Sequence, residues 1–510
     1  MAFRTARTDG RWWAALGGLC VVLLAPLLVV DVPPLLDYPN HLARAFVLAS
    51  LPGDRVLARF YAPHWSVIPN LALDLVAPPL MHVLPVHVVG RLLIAASVLL
   101  PVLGTVAYNT ALGGRWWSLG AGLVAYNSCL LYGFLNFAIA LGLALLLAAG
   151  WLCWREGRPM RAIALAVAGA PVLFACHLMG LVFFGLLIGS AELVQLYHHR
   201  HAGVFRMAAE RGLVLLAVFA IPVALYAVSD LRHLGGDASF LPIGGKLLQL
   251  VTIFANYDWK LDVATAVFAI GLPLLCLLLR RGAVPGPGGC VMVLLLIGFL
   301  ATPYGWKGAF RLDTRFAVML GFMLFAGFVP MRWPTGLRRS VAGVLVLLFA
   351  LRMALLTTAW AAHNADLTDL RTALAPVRPG QAVYVAEAGL REAPAYWAAN
   401  PRWRLLSDDV RTDEHLGALV LIEHRGFWPF EFDNPSQQPI ETRPPYRAMA
   451  ERVGSLPDSA AASVANVCGF DYVLLLGADA VPDLPADRFQ LAIRSGFAAL
   501  YTIKACKEAP

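Results

Sequence analysis

The sequence is poor in charged residues. Only 14% of its 510 residues are Asp, Glu, Lys or Arg, whereas a soluble globular protein carries about 25%. Hydrophobic residues make up 59% of the chain, and its mean hydropathy is +0.67. A chain with so few charges lacks the polar surface of an ordinary soluble protein of this length. The composition therefore indicates an integral membrane protein.

Three further patterns are missing. No Gly-rich phosphate loop follows an apolar run of strand length, so nothing indicates a nucleotide-binding domain. The net charge is +8, but the basic residues lie in short loops between apolar runs, so nucleic acid is not expected as a partner. The first apolar run follows Arg4, Arg7 and Arg11 without a small-x-small cleavage site, which predicts an uncleaved anchor rather than a signal peptide.

Long apolar runs are what the chain does contain. A membrane-spanning helix needs about 20 mostly apolar residues, and we interpret about eleven runs as spans, of which those near 117–133, 161–176 and 290–303 are short. They predict a polytopic α-helical membrane domain over residues 1–361. The predicted spans lie near 12–30, 88–110, 117–133, 136–154, 161–176, 179–197, 211–228, 262–280, 290–303, 316–331 and 340–361.

The Lys and Arg residues of the short loops predict the orientation of the protein. With the N-terminus inside, every short basic loop falls on the inner side, and the uncharged loops near 134 and 178 fall outside. We therefore expect a multi-pass protein of the bacterial inner (cytoplasmic) membrane with a cytoplasmic N-terminus. Residues 362–510 then lie in the periplasm.

Residues 362–510 differ in character, because charges rise and apolar runs shorten to strand length. Runs near 382–386, 418–422, 472–476 and 498–503 alternate with helical stretches at 367–375 and 444–453. This pattern predicts a soluble α/β domain. Its two cysteines, Cys468 and Cys506, are expected to form a disulfide in an oxidising compartment, with two free thiols as the alternative.

The first outer loop, residues 31–87, starts with polar residues directly after the first span. In Asp31-Val-Pro-Pro-Leu-Leu-Asp37-Tyr-Pro-Asn-His41-Leu-Ala-Arg44, two proline-rich turns stop the helix from continuing. We expect Asp37 to be held on a stiff turn, either as a base or as the cap of the next helix. His41 shares that site or lies at the surface. Segments 40–51 and 66–84 are predicted either to lie as helices on the membrane surface or to be part of an ordinary loop with some helix.

A second polar group precedes a late span, in Tyr304-Gly-Trp-Lys307-Gly-Ala-Phe-Arg311-Leu-Asp313-Thr-Arg315-Phe. Ionisable groups at the membrane face are costly unless paired or wetted, so they suggest a cavity. Guanidinium groups suit a phosphate in a bidentate fashion, and Lys adds a point charge. We therefore predict an anion site. The alternative is that Arg315 only pairs with Asp313 or reaches the headgroups.

This layout resembles the C-type glycosyltransferase superfamily (GT-C) over roughly residues 12–361. The resemblance rests on the acid after the first helix, the two surface-helix candidates and the late basic loop. It implies a GT-C-like fold and transfer of a sugar from a polyprenyl-phosphate carrier to a glycan, lipid or protein acceptor at the outer face of the bilayer. By resemblance, Asp37 is the catalytic base, with Asp31 as second candidate, and Lys307 and Arg315 contact the lipid phosphate.

The predicted site set is wider than these four residues. His41 stands beside the base as a further catalytic candidate. No Asp-x-Asp pair occurs in the first loop, so dependence on a divalent metal is left open. The predicted substrate-binding residues are Arg44, His64, His177, Lys307, Arg311, Asp313 and Arg315.

Two other classes of protein remain as alternatives. A transporter or flippase of a lipid-linked or small solute needs polar groups near the bilayer midplane and broken helices in repeat-related positions. The polar residues here gather at one predicted face instead, and no matching halves are present. A non-catalytic envelope-assembly protein is the third reading.

Overall fold

The computed structural model describes residues 10–200, 204–399, 403–454 and 466–504, and most of them are helical. Short 3₁₀ turns occur at Ala25–Leu28, Trp116–Ala121, Asp230–His233 and Leu416–Ala418. In chain order the helices are α1 Gly10–Leu24, α2 Tyr38–Ser50, α3 Leu57–Phe60, α4 Ala72–Met81, α5 Val86–Ala111, α6 Gly122–Ala125, α7 Ser128–Leu131, α8 Leu135–Trp154, α9 Pro159–Cys176, α10 Leu178–His198, α11 Val204–Val228, α12 Ile243–Thr252, α13 Trp259–Leu278, α14 Gly286–Ala301, α15 Leu312–Ala326, α16 Thr335–Leu374, α17 Pro394–Ala399, α18 Leu419–His424 and α19 Tyr446–Val453. The strands are β1 Tyr61–Pro63, β2 Gly282–Ala283, β3 Val329–Pro330, β4 Val383–Glu387, β5 Ile440–Thr442, β6 Tyr472–Leu476, β7 Phe489–Ser495 and β8 Ala498–Ile503.

Within the described residues, eight helices are long and apolar enough to cross a membrane. They are α1 with its 3₁₀ extension, α5, α8, α9, α10, α11, α13 and α16. Apolar side chains on their surfaces are open, as at Leu213 and Leu216 of α11, which are 69% and 71% exposed. Such surfaces are unfavourable in water and favourable against lipid tails. The polytopic helical membrane fold is thus confirmed.

The described residues contain fewer helices of spanning length than the eleven or so spans that the sequence predicts. The predicted runs near 290–303 and 316–331 form α14 and α15, which have 16 and 15 residues. The run near 117–133 is not one helix but a 3₁₀ turn followed by α6 and α7. Asn127 explains the break, because its amide donates to the Val124 carbonyl (3.0 Å) and accepts from the Leu130 amide (3.1 Å). One side chain thereby satisfies both broken helix ends.

The chain divides into two compact units. The bundle unit comprises residues 1–28, 67–72 and 94–357, and the sheet unit comprises residues 29–66, 73–93 and 358–510. The predicted domain division at 361/362 stays a prediction, because compactness alone does not define a domain. In the bundle unit, α8 packs against both α9 and α10, α14 lies between α10 and α15, and α9 also contacts α11.

The sheet unit contains a four-stranded mixed sheet in the order β4-β6-β8-β7. Strand β4 pairs parallel with β6, and the two remaining pairs are antiparallel. Strands β4, β6 and β8 carry continuous buried apolar runs, whereas β7, at one edge of the sheet, is largely exposed. On the first-loop side of this unit, the predicted surface helices form α2 and α4, and α2 packs against α18.

Two local expectations for the C-terminal region are wrong, and one strand was missed. The run 418–422 is helical, in a 3₁₀ turn and α18, since a short apolar run cannot be assigned to strand or helix by periodicity. The stretch 367–375 is not a separate helix but the end of α16, which is 40 residues long. No Gly or Pro follows Gly343 within α16, so nothing in the sequence stops it. Strand β7 was not expected, although its residues Phe489, Leu491 and Ile493 alternate with less apolar ones.

Cys468 is disulfide-bonded. Its expected partner, Cys506, lies outside the described residues, so the pairing of these two cysteines stays a prediction.

Buried ion pairs join distant helices of the bundle unit. The guanidinium of Arg352, on α16, donates to Asp262 of α13 (2.6 Å) and to the Phe254 carbonyl (2.7 Å). Both side chains are almost fully buried. Removing a single partner of a buried pair leaves an uncompensated charge, which costs far more than losing the whole pair.

We expect Asp262→Leu to destabilise the bundle unit by about 3–5 kcal/mol, because the Arg352 guanidinium then stays buried without its counter-charge. The measurement is thermal unfolding of the full chain in detergent. The double variant Asp262→Leu/Arg352→Met should recover much of the lost stability. Glu210→Gln is the matched control, because Glu210 forms an exposed pair with Arg206 that contributes at most about 1 kcal/mol. A double variant less stable than Asp262→Leu alone contradicts the expectation.

Candidate functional site

Asp37 begins α2 but does not cap it. It occupies the N-cap position with φ −86° and ψ −8°, and its side chain accepts no hydrogen bond from the helix N-terminus. Its Oδ1 atom instead lies 3.2 Å from Nδ1 of His415, and the side chain is 18% exposed. The carboxylate is therefore turned away from the role usual for an N-cap Asp and remains reachable.

His415 is contributed by a segment far along the chain. Its Nδ1 atom also lies 3.1 Å from the Leu36 carbonyl, which belongs to the residue directly before Asp37. The buried ring stands edge-on to Phe432 at 5.1 Å between centroids, and Trp428 lies 6.2 Å away. These contacts within the sheet unit hold the imidazole in one orientation beside the carboxylate.

One helical turn after Asp37, His41 accepts a hydrogen bond from Arg44. Because arginine only donates, the 3.1 Å contact with Arg44 Nη1 requires an unprotonated Nδ1 on His41. Burial, followed by the charge of Arg44, lowers the pKa of His41 to about 3. His41 is therefore neutral at physiological pH.

Arg44, predicted to bind substrate, is buried within the sheet unit. Its Nε and Nη2 atoms donate to the two oxygens of Asp74, at 2.7 and 3.1 Å. The side chains of both residues are 0–1% exposed. A guanidinium in this bidentate pair has no open face for a ligand, so its contact in the structure is with the protein interior.

A buried carboxyl group that the sequence alone did not single out lies in the same region. Asn40 of α2 donates to the Phe430 carbonyl (2.9 Å) and accepts from the Phe432 amide (3.0 Å), which fixes Glu431 between them. Neither carboxylate oxygen of Glu431 has a hydrogen-bond partner among the described residues. Burial raises the pKa of Glu431 well above its ordinary value, although Arg44 opposes the shift. The only sequence signal was one acid within an aromatic stretch.

The second candidate acid, Asp31, belongs to a surface ion cluster. Its carboxylate accepts from Arg371 at 2.6 Å, and Arg371 also pairs with Glu423 at 2.8 Å. Glu423 in turn contacts His87 at 3.1 Å. The Asp31 carboxylate is thus paired with an arginine, whereas the Asp37 carboxylate lies beside a histidine. Predicted site residue His64 is exposed and lies 4.0 Å from Glu441.

In the bundle unit, the predicted anion-site arginines meet an aromatic turn. The guanidinium of Arg311 stands over the Tyr132 ring at 4.1 Å, and that of Arg315 over the Phe134 ring at 4.8 Å. Lys307 lies 5.2 Å from the Trp306 ring and donates to the Arg232 carbonyl at 3.3 Å. Aromatic faces orient guanidinium groups without neutralising their charge, so such arginines can still bind an anion.

The two other predicted residues of the bundle unit have internal partners. Asp313 is buried and accepts from Lys246 and from Gln249, each at 3.3 Å. His177 caps α10, because its Nδ1 accepts from the Met179 amide at 3.0 Å. Its ring stands edge-on to Phe137, 5.6 Å away.

The part of the chain that the structure describes contains no evident metal-binding site. No group of three or more His, Cys, Asp or Glu side chains there is close enough together to hold an ion. The pair of Asp37 and His415 offers two ligand types but not a third.

The architecture is that of a polytopic helical membrane protein. One solved structure with this architecture is that of ArnT from Cupriavidus metallidurans in the apo state, a GT-C glycosyltransferase. The likeness has a TM-score of 0.52 and 11% sequence identity, and it covers 96% of this chain and 98% of ArnT. At this identity it shows the fold alone, and the predicted GT-C-like fold is confirmed. No protein-family model and no curated protein matches the chain.

Two carboxyl groups of the sheet unit should affect stability in opposite directions. A raised folded-state pKa means that ionisation above the ordinary value of 4.5 favours the unfolded chain, so Glu431 lowers stability as pH rises. For Glu423, burial opposes ionisation, but hydrogen bonds from His87 and Arg371 outweigh it and lower the pKa to about 2. The ionised Glu423 carboxylate therefore stabilises the folded state above pH 4.5, and this stabilisation is lost as the pH falls towards 2.

We therefore expect Glu431→Gln to raise the thermal midpoint at pH 8 more than at pH 5. The matched variant Glu423→Gln should lower the midpoint at both pH values. Unfolding of the purified protein in detergent at the two pH values measures both effects. Equal shifts for Glu431→Gln at pH 5 and pH 8 would contradict the assignment of a buried neutral carboxyl group.

Proposed function

We propose that this protein is a membrane glycosyltransferase that moves a sugar from a polyprenyl-phosphate carrier to an acceptor, with Asp37 as the general base. The observation that carries this proposal is the state of the Asp37 carboxylate. It is reachable, it does not cap its helix, and it stands beside a histidine rather than an arginine. The GT-C fold supports the reaction class.

The reaction needs two kinds of side chain. A base takes the proton from the acceptor hydroxyl as that oxygen attacks the sugar, and a carboxylate does this well. The leaving group is a phosphate whose negative charge grows as the glycosidic bond breaks. Cations that meet this phosphate stabilise the transition state more than the ground state. A single displacement of this type inverts the sugar carbon and forms no covalent intermediate.

Asp37 fits the base better than the neighbouring candidates do. Asp31 accepts a hydrogen bond from Arg371 within an ion cluster, so its carboxylate is already paired with a cation. His41 already uses Nδ1 to accept from Arg44. We therefore assign Asp37 as the base and treat Asp31 and His41 as its neighbours.

The phosphate of the donor is proposed to meet Arg311 and Arg315, with Lys307 nearby in sequence. The aromatic rings beneath the two guanidinium groups support this role, because they orient the planar forks. Asp313 is proposed to stabilise this loop rather than to bind the phosphate, because its buried carboxylate accepts a hydrogen bond from Lys246. His177 and His64 are proposed only to border the substrate.

The proposed location is the bacterial inner membrane, with the N-terminus in the cytoplasm and residues 362–510 in the periplasm. Arg155 and Arg211, from two predicted inner loops, both contact Glu192, which supports a common side for these loops. Arg311 and Tyr132, from two predicted outer loops, also meet. The acceptor is a glycan, lipid or protein, and a divalent metal remains an option to test.

We expect Asp37→Asn to lower kcat by about 10²–10⁴-fold, the usual contribution of a general base. The assay incubates the full chain in detergent with radiolabelled polyprenyl-phosphate hexose or pentose and an extract of envelope lipids and glycans. Loss of label from the carrier measures transfer, with and without EDTA. Asp31→Asn should keep most of the rate.

An unchanged rate in Asp37→Asn removes the base assignment, and a loss confined to Asp31→Asn moves it to Asp31. If wild-type protein transfers no sugar but proteoliposomes containing it take up a labelled solute, the transporter reading replaces the enzyme.

We expect Arg315→Met to raise the KM for the lipid-linked donor by about 10-fold or more, because a charge-assisted contact to its phosphate is lost. The donor KM of Arg315→Lys should lie between those of the wild type and Arg315→Met, because lysine keeps the charge but lacks the planar fork. Arg206→Met is the control, because Arg206 is an exposed arginine of the same unit paired with Glu210. Equal donor KM values for Arg315→Met and Arg206→Met would argue against a phosphate contact at Arg315.

A further inference from the structure

We propose that His415 is a positioning residue that holds the Asp37 carboxylate in the orientation needed for proton transfer. The C-terminal part of the chain then supplies a component of the catalytic site. This inference rests on the proposed function of Asp37 as the base, and it assigns a task to a residue that the first loop itself does not contain.

The hydrogen on the imidazole follows from its surroundings. Nδ1 of His415 lies 3.1 Å from the Leu36 carbonyl oxygen and 3.2 Å from Asp37 Oδ1. Both oxygens are acceptors in this contact, so Nδ1 must carry the hydrogen. One N–H group therefore bonds the peptide before Asp37 and faces its carboxylate. The ring restrains the backbone and the side chain of the same residue.

His415 can restrain Asp37 because its own segment is anchored. Arg411 donates to both oxygens of Asp413 at 2.9 and 3.0 Å, and to the Ala388 carbonyl at 2.9 Å. Ala388 directly follows strand β4. The guanidinium also lies 5.0 Å from the Trp397 ring. This buried cluster ties the segment 411–415 to the end of the sheet.

The imidazole also keeps Asp37 from a competing conformation. An Asp at the N-cap position ordinarily accepts hydrogen bonds from the first amides of its helix. The Asp37 side chain accepts none of them, although α2 begins at the next residue. Without the N–H of His415, we expect the carboxylate to rotate onto those amides. It would then leave the orientation in which it can take the proton of the acceptor hydroxyl.

The first test separates positioning from folding by a comparison of four full-length variants in the transfer assay. His415→Leu should lower kcat by about 10- to 100-fold with donor KM nearly unchanged, because the N–H that faces the Asp37 carboxylate is lost. His415→Asn should restore most of kcat, since its amide offers N–H groups near the position of Nδ1. His424→Leu is the matched control, because the His424 ring also bonds a backbone carbonyl, that of Val377. Asp37→Asn sets the rate that remains without the base.

Wild-type kcat in His415→Leu overturns the inference, and so does an equal loss in His415→Leu and His415→Asn. A loss of the same size in His424→Leu also overturns it, because the effect then reflects general damage to the sheet unit.

The second test does not depend on activity. Thermal unfolding of Asp37→Asn, His415→Leu and the double variant forms a double-mutant cycle. If the residues interact, the double variant is less destabilised than the sum of the single variants. Additive effects overturn the inference. If the two residues are coupled but the protein transfers no sugar, the interaction between Asp37 and His415 stands and only the proposed function is refuted.

Discussion

The cost of removing a charge from water shapes both units of this protein. A buried ion costs several kcal/mol, which is offset only when an opposite charge and further hydrogen bonds accompany it. In the bundle unit, Arg352 meets Asp262, and Lys246 meets Asp313. In the sheet unit, Arg44 meets Asp74 through two hydrogen bonds. Each pair joins residues far apart in sequence, so each also restricts how its elements can pack.

Asp37 differs from these pairs in the feature that matters for chemistry. Asp262, Asp313 and Asp74 are each paired with an arginine or a lysine. Asp37 is matched by one N–H of His415 and keeps 18% of its side chain open. Such a contact orients a carboxylate and leaves an oxygen available. Glu431 shows the other extreme, because burial raises the pKa of its carboxyl group well above the ordinary range. The chain thus contains acids paired with a basic side chain, an accessible acid beside a histidine, and a buried acid whose pKa is raised.

Several elements followed from the sequence for physical reasons that are local. Proline turns and an apolar run with interspersed polar residues were enough to predict α2 and the exposed turn at Asp37. The long apolar runs predicted most spans, because span length is set by bilayer thickness. The break at Asn127 and the helical state of 418–422 did not follow. Each depends on which partners surround a short segment, and short apolar runs suit either kind of secondary structure.

The sequence by itself determined that the chain is a membrane protein, which carboxylates follow the first span and which basic residues precede α15. These depend on composition and on neighbours within a few positions. Only the tertiary structure decided which charges are buried in pairs, that Arg44 faces Asp74, and that His415 stands against Asp37 from 378 positions away. Contacts between residues that distant are selected by packing of the whole unit, because the sequence near Asp37 contains no trace of its partner.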